Sequence, residues 1–263
     1  FAVSLLKEPL DWHWIEYLFY DLTYTHNWFI SPRILEVQRD LPLDGSTNHF
    51  WSLSVEEQFY LFAPILILFL ARGRSILLWA GIAALAVAFK TFYGAIALGV
   101  LAVALHRHFG DWHLKPRMTF LLGVGLALCA VVYYAARDTY FYVAPIASVL
   151  IVLLLARPGR KNAIGSFVGG ISYPLYLNHW VGIFAAHEVV QMFGIVGRWA
   201  GVWLAAILNI GVASVLFLAI DEQVRKRRNQ LFTNELGRLA ALAAYGLVAL
   251  GAVGGIAIFI ARL

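Results

Sequence analysis

The sequence predicts an all-α fold, a polytopic transmembrane bundle of about eight spans preceded by an interfacial or re-entrant segment. Hydrophobic residues make up 61% of the 263 residues and charged residues only 13%, whereas soluble domains are nearer half apolar and a quarter charged. Several apolar runs are long enough to enter or cross a bilayer. These runs are continuous rather than alternating, which disfavours a transmembrane β-barrel.

The elements follow from these runs, taken in chain order. Residues 11–30 are aromatic but contain Asp11, Glu16 and Asp21, which is typical of an interfacial or re-entrant helix rather than a plain span. A polar loop follows at 31–48. The candidate spans are residues 59–71, 75–89, 91–105, 118–136, 140–156, 167–190, 199–220 and 239–261.

Two of these spans are short and lie on either side of Lys90. The alternative, a single helix over 75–105, would be much longer than the hydrocarbon core of a bilayer is thick. With two short helices, the strongly basic loops all fall on one side of the membrane. A single merged helix would break this alternation of loop charge. The sequence therefore predicts a break at Lys90.

Loop charges predict the orientation. Most of the 20 Lys and Arg residues fall in alternate loops, and the positive-inside rule places those loops in the cytoplasm. They are Arg72, Arg74, Arg107, Lys115, Arg117, Arg157, Arg160, Lys161, Arg225, Lys226, Arg227, Arg228 and Arg238. The segment 48–57 is then on the outer side. Because the basic residues are spread over loops, nucleic-acid binding is a poor interpretation.

The chain starts with Phe1 and shows no signal peptide, so we expect a fragment of a longer protein without its first helices. Residues 1–228 are predicted to form the partial membrane domain. Residues 229–263 are predicted to form a basic linker and an accessory transmembrane helix. A further outer domain beyond the end of the sequence is compatible with this division.

The first candidate motif is the segment 48–64, where Glu56 and Glu57 stand at the entrance to an apolar run. A charge near hydrocarbon is costly and is kept mostly for function. Ser54 and Glu57 fit a helix capping box, which gives Glu57 a structural explanation. An acid in the first helical turn is favoured by the helix dipole, but Glu56 also shares a face with Tyr60. Nearby polar and aromatic candidates are Asn48, Trp51 and Ser52.

The second candidate motif is the segment 169–180, GGISYPLYLNHW, in which Ser172, Tyr176 and His179 recur at helical spacing. Tyr173 lies beside them, and Pro174 is expected near the start of the helix, where proline is tolerated. A lone histidine in a membrane helix is often only hydrogen-bonded to a neighbouring helix. The serine and the two tyrosines nearby favour a functional role.

The other histidines give weaker signals. His106, His108 and His113 lie in a basic loop without the spacing of a helical metal motif, so the sequence predicts a solvated loop and no metal site. His26 and His49 flank the outer loop and are candidates for lining a site. The basic run 225–228 is best explained as a topology anchor near anionic lipid.

At the two motifs the chain resembles the membrane-bound acyltransferase family 3, the bacterial O-acyltransferases. Residues 51–60, WSLSVEEQFY, look like that family's W-S-L-S-x-E-x-x-F-Y signature, and 171–180 are similar to its S-Y-x-L-Y-L-x-H-W segment. Asn178 stands where the family often has tryptophan. The family's arginine and histidine of the first helix have no counterpart here, so this fragment by itself is expected to be inactive.

The resemblance implies transfer of an acyl group, acetyl being the expected one, from acetyl-CoA to a hydroxyl of an extracytoplasmic glycan such as lipopolysaccharide. Acetyl-CoA would be a co-substrate, with no tightly bound cofactor. The protein would be a multi-pass protein of the inner membrane, with membrane lipids and the acceptor glycan as partners. The upstream histidine would be the base.

The site residues follow from the same resemblance and from the two motifs. Glu56 and His179 are the catalytic candidates, with Glu56 orienting or charging a catalytic partner or positioning the acceptor. The substrate-binding candidates are Asn48, Trp51, Ser52, Tyr60, Ser172, Tyr173 and Tyr176. Two other functions stay open from the residues alone. One is a transporter or flippase of a glycan lipid or acyl donor, and the other is a membrane scaffold without activity.

Overall fold

The computed structural model describes residues 11–37, 50–66, 75–160, 162–194 and 197–262, and every regular element in these ranges is helical. The prediction of an all-α fold is confirmed for them. The chain divides into two compact units, one of residues 59–160 and one that combines residues 1–58 with 161–263. We call them the smaller and the larger unit.

The helices are α1 Trp12–Leu22, α2 His26–Phe29, α3 Ile34–Val37, α4 Trp51–Ile65, α5 Ile76–Ala88, α6 Gly94–Phe109, α7 Pro116–Ala135, α8 Tyr140–Leu155, α9 Ala163–Phe193, α10 Arg198–Leu216, α11 Glu222–Leu231 and α12 Asn234–Ala261. Short 3₁₀ turns occupy Ser31–Arg33, Trp112–Leu114 and Arg137–Thr139, and a π-helical segment, Phe217–Asp221, joins α10 to α11.

Within the described residues, four helical stretches are long and apolar enough to cross a membrane. They are Pro116–Ala135, Arg137–Leu155, Trp199–Arg228 and Asn234–Ala261. Helices α5 and α6 are apolar but shorter. The predicted total of about eight spans therefore stays a prediction.

The larger unit has an aromatic core at the N-terminal helices. Tyr17, Tyr20 and Ile30 are buried together. At 11 residues, α1 is too short to cross a bilayer, which agrees with the prediction that this segment is not a plain span. Its first turn is capped by Asp11, which accepts a hydrogen bond of 2.8 Å from the amide of Trp14.

Helix α12 packs directly against α1 and the turn that follows it. Gly251 lies against Thr23 and Thr25 so closely that a Cβ there would overlap both side chains. At the end of α12, Arg262 forms an ion pair with the buried carboxylate of Glu16. The helix predicted as accessory is thus in contact with the N-terminal segment, while the predicted division at residue 228 stays a prediction.

Helices α9 and α10 form the other main contact of the larger unit. The side-chain oxygen of Asn209 on α10 accepts a hydrogen bond of 3.1 Å from the backbone N–H of Gly182 on α9. Asn209 is buried, and only a glycine leaves room for it at this crossing. Close backbone approach through small residues, with a polar side chain bridging the helices, is typical of membrane helix pairs.

Replacing Gly182 with alanine should destabilise this helix pair by about 1–3 kcal/mol, the usual range for overpacking. The new Cβ would lie 2.7 Å from the backbone nitrogen of Asn209 and closer still to its side-chain oxygen. Gly169→Ala is the matched control on the same helix, because a Cβ there meets no heavy atom within 4 Å. Thermal unfolding in detergent should show a lower midpoint for Gly182→Ala only. Equal midpoints for the two variants would contradict this packing.

The smaller unit contains the predicted break at Lys90, and the structure confirms it. Helix α5 ends at Ala88, and Lys90 has a positive φ of 54°, a conformation that L-residues adopt rarely and in turns. The hydroxyl of Thr91 donates a hydrogen bond of 3.0 Å to the carbonyl of Ala86. This bond satisfies a carbonyl at the end of α5, so the reversal is specified locally.

Candidate active site

The first motif lies on α4, which begins at Trp51. Ser54, Val55 and Gln58 are each no more than 2% exposed and form the inward face of this helix. Glu56 and Glu57 are half-buried, and Tyr60 is 63% exposed. Glu56 and Tyr60 are separated by one helical turn, as predicted, so they share a face of α4.

The predicted capping box of Ser54 and Glu57 is wrong. Helix α4 starts three residues before Ser54, so this serine lies inside the helix, and Glu57 lies in the second turn. The segment 50–53 contains no glycine or proline that would stop the helix from extending backwards. Capping therefore does not explain the carboxylate of Glu57.

Gln58 fixes α4 to the N-terminal helices. Its side-chain amide exchanges two hydrogen bonds of 3.0 Å with the side-chain amide of Asn27. It also donates a bond of 2.5 Å to the carbonyl of Tyr24. Both amide side chains are at most 2% exposed, and a buried, fully paired amide fixes one arrangement. Sequence reasoning missed this pair, because the two residues are far apart in the chain and neither spacing nor composition links them.

His26 forms a buried pair with Asp21. The imidazole is fully buried, and its Nδ1 donates a hydrogen bond of 2.8 Å to the Asp21 carboxylate. The ring also contacts the edge of Tyr17, with 4.9 Å between the ring centroids. The sequence marked His26 only as a residue flanking the outer loop. The turn at Thr23 and Tyr24 brings the pair together, and no helical spacing predicts it.

The second motif lies in the middle of α9 and meets the first at one contact. The hydroxyls of Ser52 and Tyr176 share a hydrogen bond of 2.5 Å, although 124 residues separate them in the chain. Both residues belong to the larger unit. The structure thus brings together two residues that were predicted, from separate motifs, to bind substrate.

His179 lies one turn beyond Tyr176 on α9. Its Nδ1 lies 2.8 Å from the backbone carbonyl oxygen of Tyr176. Because a carbonyl only accepts, Nδ1 carries the hydrogen in this contact, and in the neutral ring Nε2 carries the lone pair. The imidazole is half-buried and continues a row of rings with Tyr176, Trp180 and Phe184. These contacts within α9 help to orient the imidazole.

The prediction that Pro174 lies near the start of a helix is wrong. Pro174 lies deep inside α9. The helix begins at Ala163, where the Asn162 side chain caps the amide of Gly165 at 2.6 Å. Proline lacks the N–H that would bond the carbonyl four residues earlier, and that residue is Gly170. A Cβ at Gly170 would overlap the ring of Phe217, so the glycine makes room for that ring. The N-cap asparagine was the sequence signal for the earlier start.

For the other predicted site residues, the structure gives exposure or local contacts. Tyr173 is 47% exposed, and Ser172 donates its hydroxyl to the carbonyl of Gly169 on its own helix at 2.8 Å. Trp51 is half-buried. Asn48 lies outside the described residues. The roles of all these residues stay predictions.

Burial and the neighbouring carboxylate of Glu56 both raise the pKa of Glu57, burial being the larger cause. A carboxyl with a raised pKa is easier to protonate in the folded protein than in the unfolded chain. Its contribution to stability is therefore fully present below the unfolded pKa and is lost as pH rises through the folded pKa.

Glu57→Gln should accordingly reduce the loss of stability that occurs as pH rises above the ordinary pKa of a glutamate. At the acid end, wild type and variant should unfold at similar temperatures. Near neutral pH the variant should be the more stable of the two, because it carries no charge at this half-buried position. Thermal unfolding across this pH range measures the difference. A variant that is less stable near neutral pH would show that the ionised Glu57 has a favourable partner.

The prediction of a solvated loop around the other histidines is wrong for His113. Its side chain is 6% exposed, and Nε2 bonds to the carbonyl oxygen of Ala156 at 2.9 Å. His106 and His108 are exposed, as predicted. His113 is buried because the 3₁₀ turn Trp112–Leu114 packs against the end of α8, a tertiary contact that the local sequence does not encode.

A family model described as an acyltransferase domain, Acyl_transf_3, matches residues 3–218. The match includes both motifs, α1–α10 and the smaller unit. No curated protein and no solved structure matches the chain.

Proposed function

The chain belongs to the acyltransferase 3 family, and we propose that it acts in a membrane O-acyltransferase that transfers an acyl group to a glycan hydroxyl. Acetyl is the acyl group that we propose. The donor is acetyl-CoA, approached from the cytoplasmic side. The acceptor is an extracytoplasmic glycan of the cell envelope, such as lipopolysaccharide, an exopolysaccharide or peptidoglycan. The protein resides in the inner membrane.

The hydrogen bond between Ser52 and Tyr176 carries this proposal. It joins the two segments that resemble the family's motifs, and it places His179 one turn away on the same helix. A cluster of hydroxyl and imidazole groups can bind the hydroxyls of a sugar and orient one of them for attack. The aromatic rings of Trp51 and Trp180 offer flat surfaces for sugar stacking.

The chemistry needs a proton acceptor and hydrogen-bond donors. The glycan hydroxyl oxygen attacks the thioester carbonyl, the new C–O bond forms, and the C–S bond then breaks. The hydroxyl proton passes to a base and from there to the departing thiolate of coenzyme A. The tetrahedral intermediate carries an oxyanion that donors stabilise.

Glu56 and His179 have distinct roles in this proposal. The resemblance assigns the base to a histidine of the family's first helix. His179 therefore accepts a hydrogen bond from the acceptor hydroxyl at Nε2, since Nδ1 donates to the Tyr176 carbonyl. Glu56 supplies a negative charge that orients the base or the acceptor. The bond between Tyr176 and Ser52 uses the hydrogen of one hydroxyl, and the other hydroxyl donates its hydrogen to a sugar or oxyanion oxygen.

Mass spectrometry of cell-surface glycans, with and without the complete gene, tests the proposal. We expect ester-linked acetyl groups that disappear on deletion and return when the gene is restored, and the modified sugar identifies the acceptor. Unchanged esters together with a changed amount of a glycan lipid at the surface would contradict acyl transfer. That second result would favour the transporter.

A further inference from the structure

Three side chains of metal-binding type converge at the turn between α6 and α7, in the smaller unit. His106 is near the end of α6, Asp111 follows it in the turn, and His113 is in the 3₁₀ turn; we call these three the turn cluster. Each offers one ligand atom, and these atoms lie within 4.8 Å of one another. The turn depends on Gly110, whose φ is +65°, a value that favours glycine.

His113 has the features of a metal ligand. Its Nε2 lies 2.9 Å from the carbonyl oxygen of Ala156. Because that oxygen only accepts, Nε2 carries the hydrogen and Nδ1 carries the lone pair. Nδ1 is buried and has no hydrogen-bond partner among the described residues. A buried nitrogen without a partner is costly, and bonding one ring nitrogen to a backbone carbonyl is the usual way that proteins prepare the other to bind a metal.

The surrounding groups hold His113 in place. The hydroxyl of Thr119 donates to the His113 backbone carbonyl at 3.0 Å and accepts from a guanidinium nitrogen of Arg157 at 3.3 Å. The ε-nitrogen of Arg157 donates to the carbonyl of Leu154. Two nitrogens of this nearby cation are thus engaged with other acceptors. The exposed carboxylate of Asp111, 3.6 Å from Nδ1 of His106, supplies the negative charge of the turn cluster.

We propose that His106, Asp111 and His113 bind one divalent transition-metal ion, zinc being the first choice. Two imidazoles and one carboxylate are a donor set that zinc accepts, and three protein ligands leave a position for water or another ligand. All three residues line a cavity of about 660 Å³, so the open position faces a space large enough for a small molecule. The site is separate from both motifs and does not depend on the proposed acyl transfer.

The binding test uses the complete protein, purified with a tag that contains no histidine and stripped with EDTA. Zinc is titrated by calorimetry, and cobalt is added in parallel, because its visible absorption spectrum reports on the coordinating atoms. We expect one metal ion per chain. Asp111→Asn and His106→Ala should each lower zinc affinity by at least about tenfold, and their exposed positions make misfolding a minor concern. His113→Ala should abolish binding.

His108→Ala is the matched control, since His108 is exposed on the same helix end and outside the turn cluster. It should bind zinc as wild type does. The proposal is overturned if stripped wild-type protein takes up no zinc and gives no cobalt spectrum, which would leave a water molecule as the partner of His113. It is equally overturned if Asp111→Asn and His106→Ala bind as tightly as wild type.

Discussion

Glu56→Gln in the complete protein should abolish glycan acylation, lowering the rate of transfer by about 10²-fold or more. Glutamine keeps the size and the hydrogen-bonding oxygen of the side chain but removes the negative charge. The charge matters because Glu56 is half-buried at the start of an apolar run. Water screens a carboxylate less at such a position, so its charge acts more strongly on neighbouring groups. The measurement is acetyl transfer from labelled acetyl-CoA to cell-surface glycan, corrected for protein in the membrane.

Glu57→Gln is the matched control for this variant. Glu57 is the next residue on the same helix, but it does not fall on the signature that Glu56 matches. It should keep most of the activity and, near neutral pH, gain stability. Wild-type transfer by Glu56→Gln would refute the role of Glu56. Equal loss in both variants would show that a general negative charge, rather than this side chain, is needed.

His179→Gln is the second large effect, with an expected loss of about 10²-fold in kcat, because the acceptor hydroxyl is no longer held in position for attack. The ring is oriented by the carbonyl of Tyr176, which leaves Nε2 as the hydrogen-bond acceptor. Glutamine has one flexible amide, which cannot donate to that carbonyl and at the same time hold an acceptor atom in the fixed position of Nε2. The fold should survive, since His179 is only half-buried and glutamine is similar to it in size and polarity. Kinetics with saturating acetyl-CoA and a defined acceptor measure the change.

His187→Gln is the control on the same helix. His187 is exposed, and its Nε2 accepts a hydrogen bond of 2.8 Å from the side chain of Gln191. This variant should transfer acetyl at the wild-type rate. If His179→Gln also transfers at that rate, the imidazole is only a structural group of the helix, as a lone histidine in a membrane helix often is.

Much of the fold was predictable because local sequence patterns determine where the helices form and break. Apolar runs gave the helices, and Lys90 marked the break between α5 and α6. The failures are at helix starts: α4 begins before Ser54, and α9 begins well before Pro174. In both places a plausible local signal, a capping box or a proline, competed with a sequence that allows the helix to extend.

The candidate site was predictable only in part. Its motifs come from the sequence, but the contact between Ser52 and Tyr176 comes from tertiary packing. The buried pairs of Gln58 with Asn27 and His26 with Asp21 gave no sequence signal, because their spacing follows no helix or strand period. The burial of His113 was missed for the same reason, since its partner is the carbonyl of Ala156 on another element.

The central claim is that the two motifs form one acyl-transfer site through Ser52 and Tyr176. A double-mutant cycle with Ser52→Ala, Tyr176→Phe and the combined variant, read as the rate of acetyl transfer in the complete protein, tests it most directly. The account predicts that each single change slows transfer and that the combined variant is little slower than the worse single one. The coupling should be about 0.5–3 kcal/mol, as for residues in direct contact. Losses that simply add, or single variants as active as wild type, would contradict it.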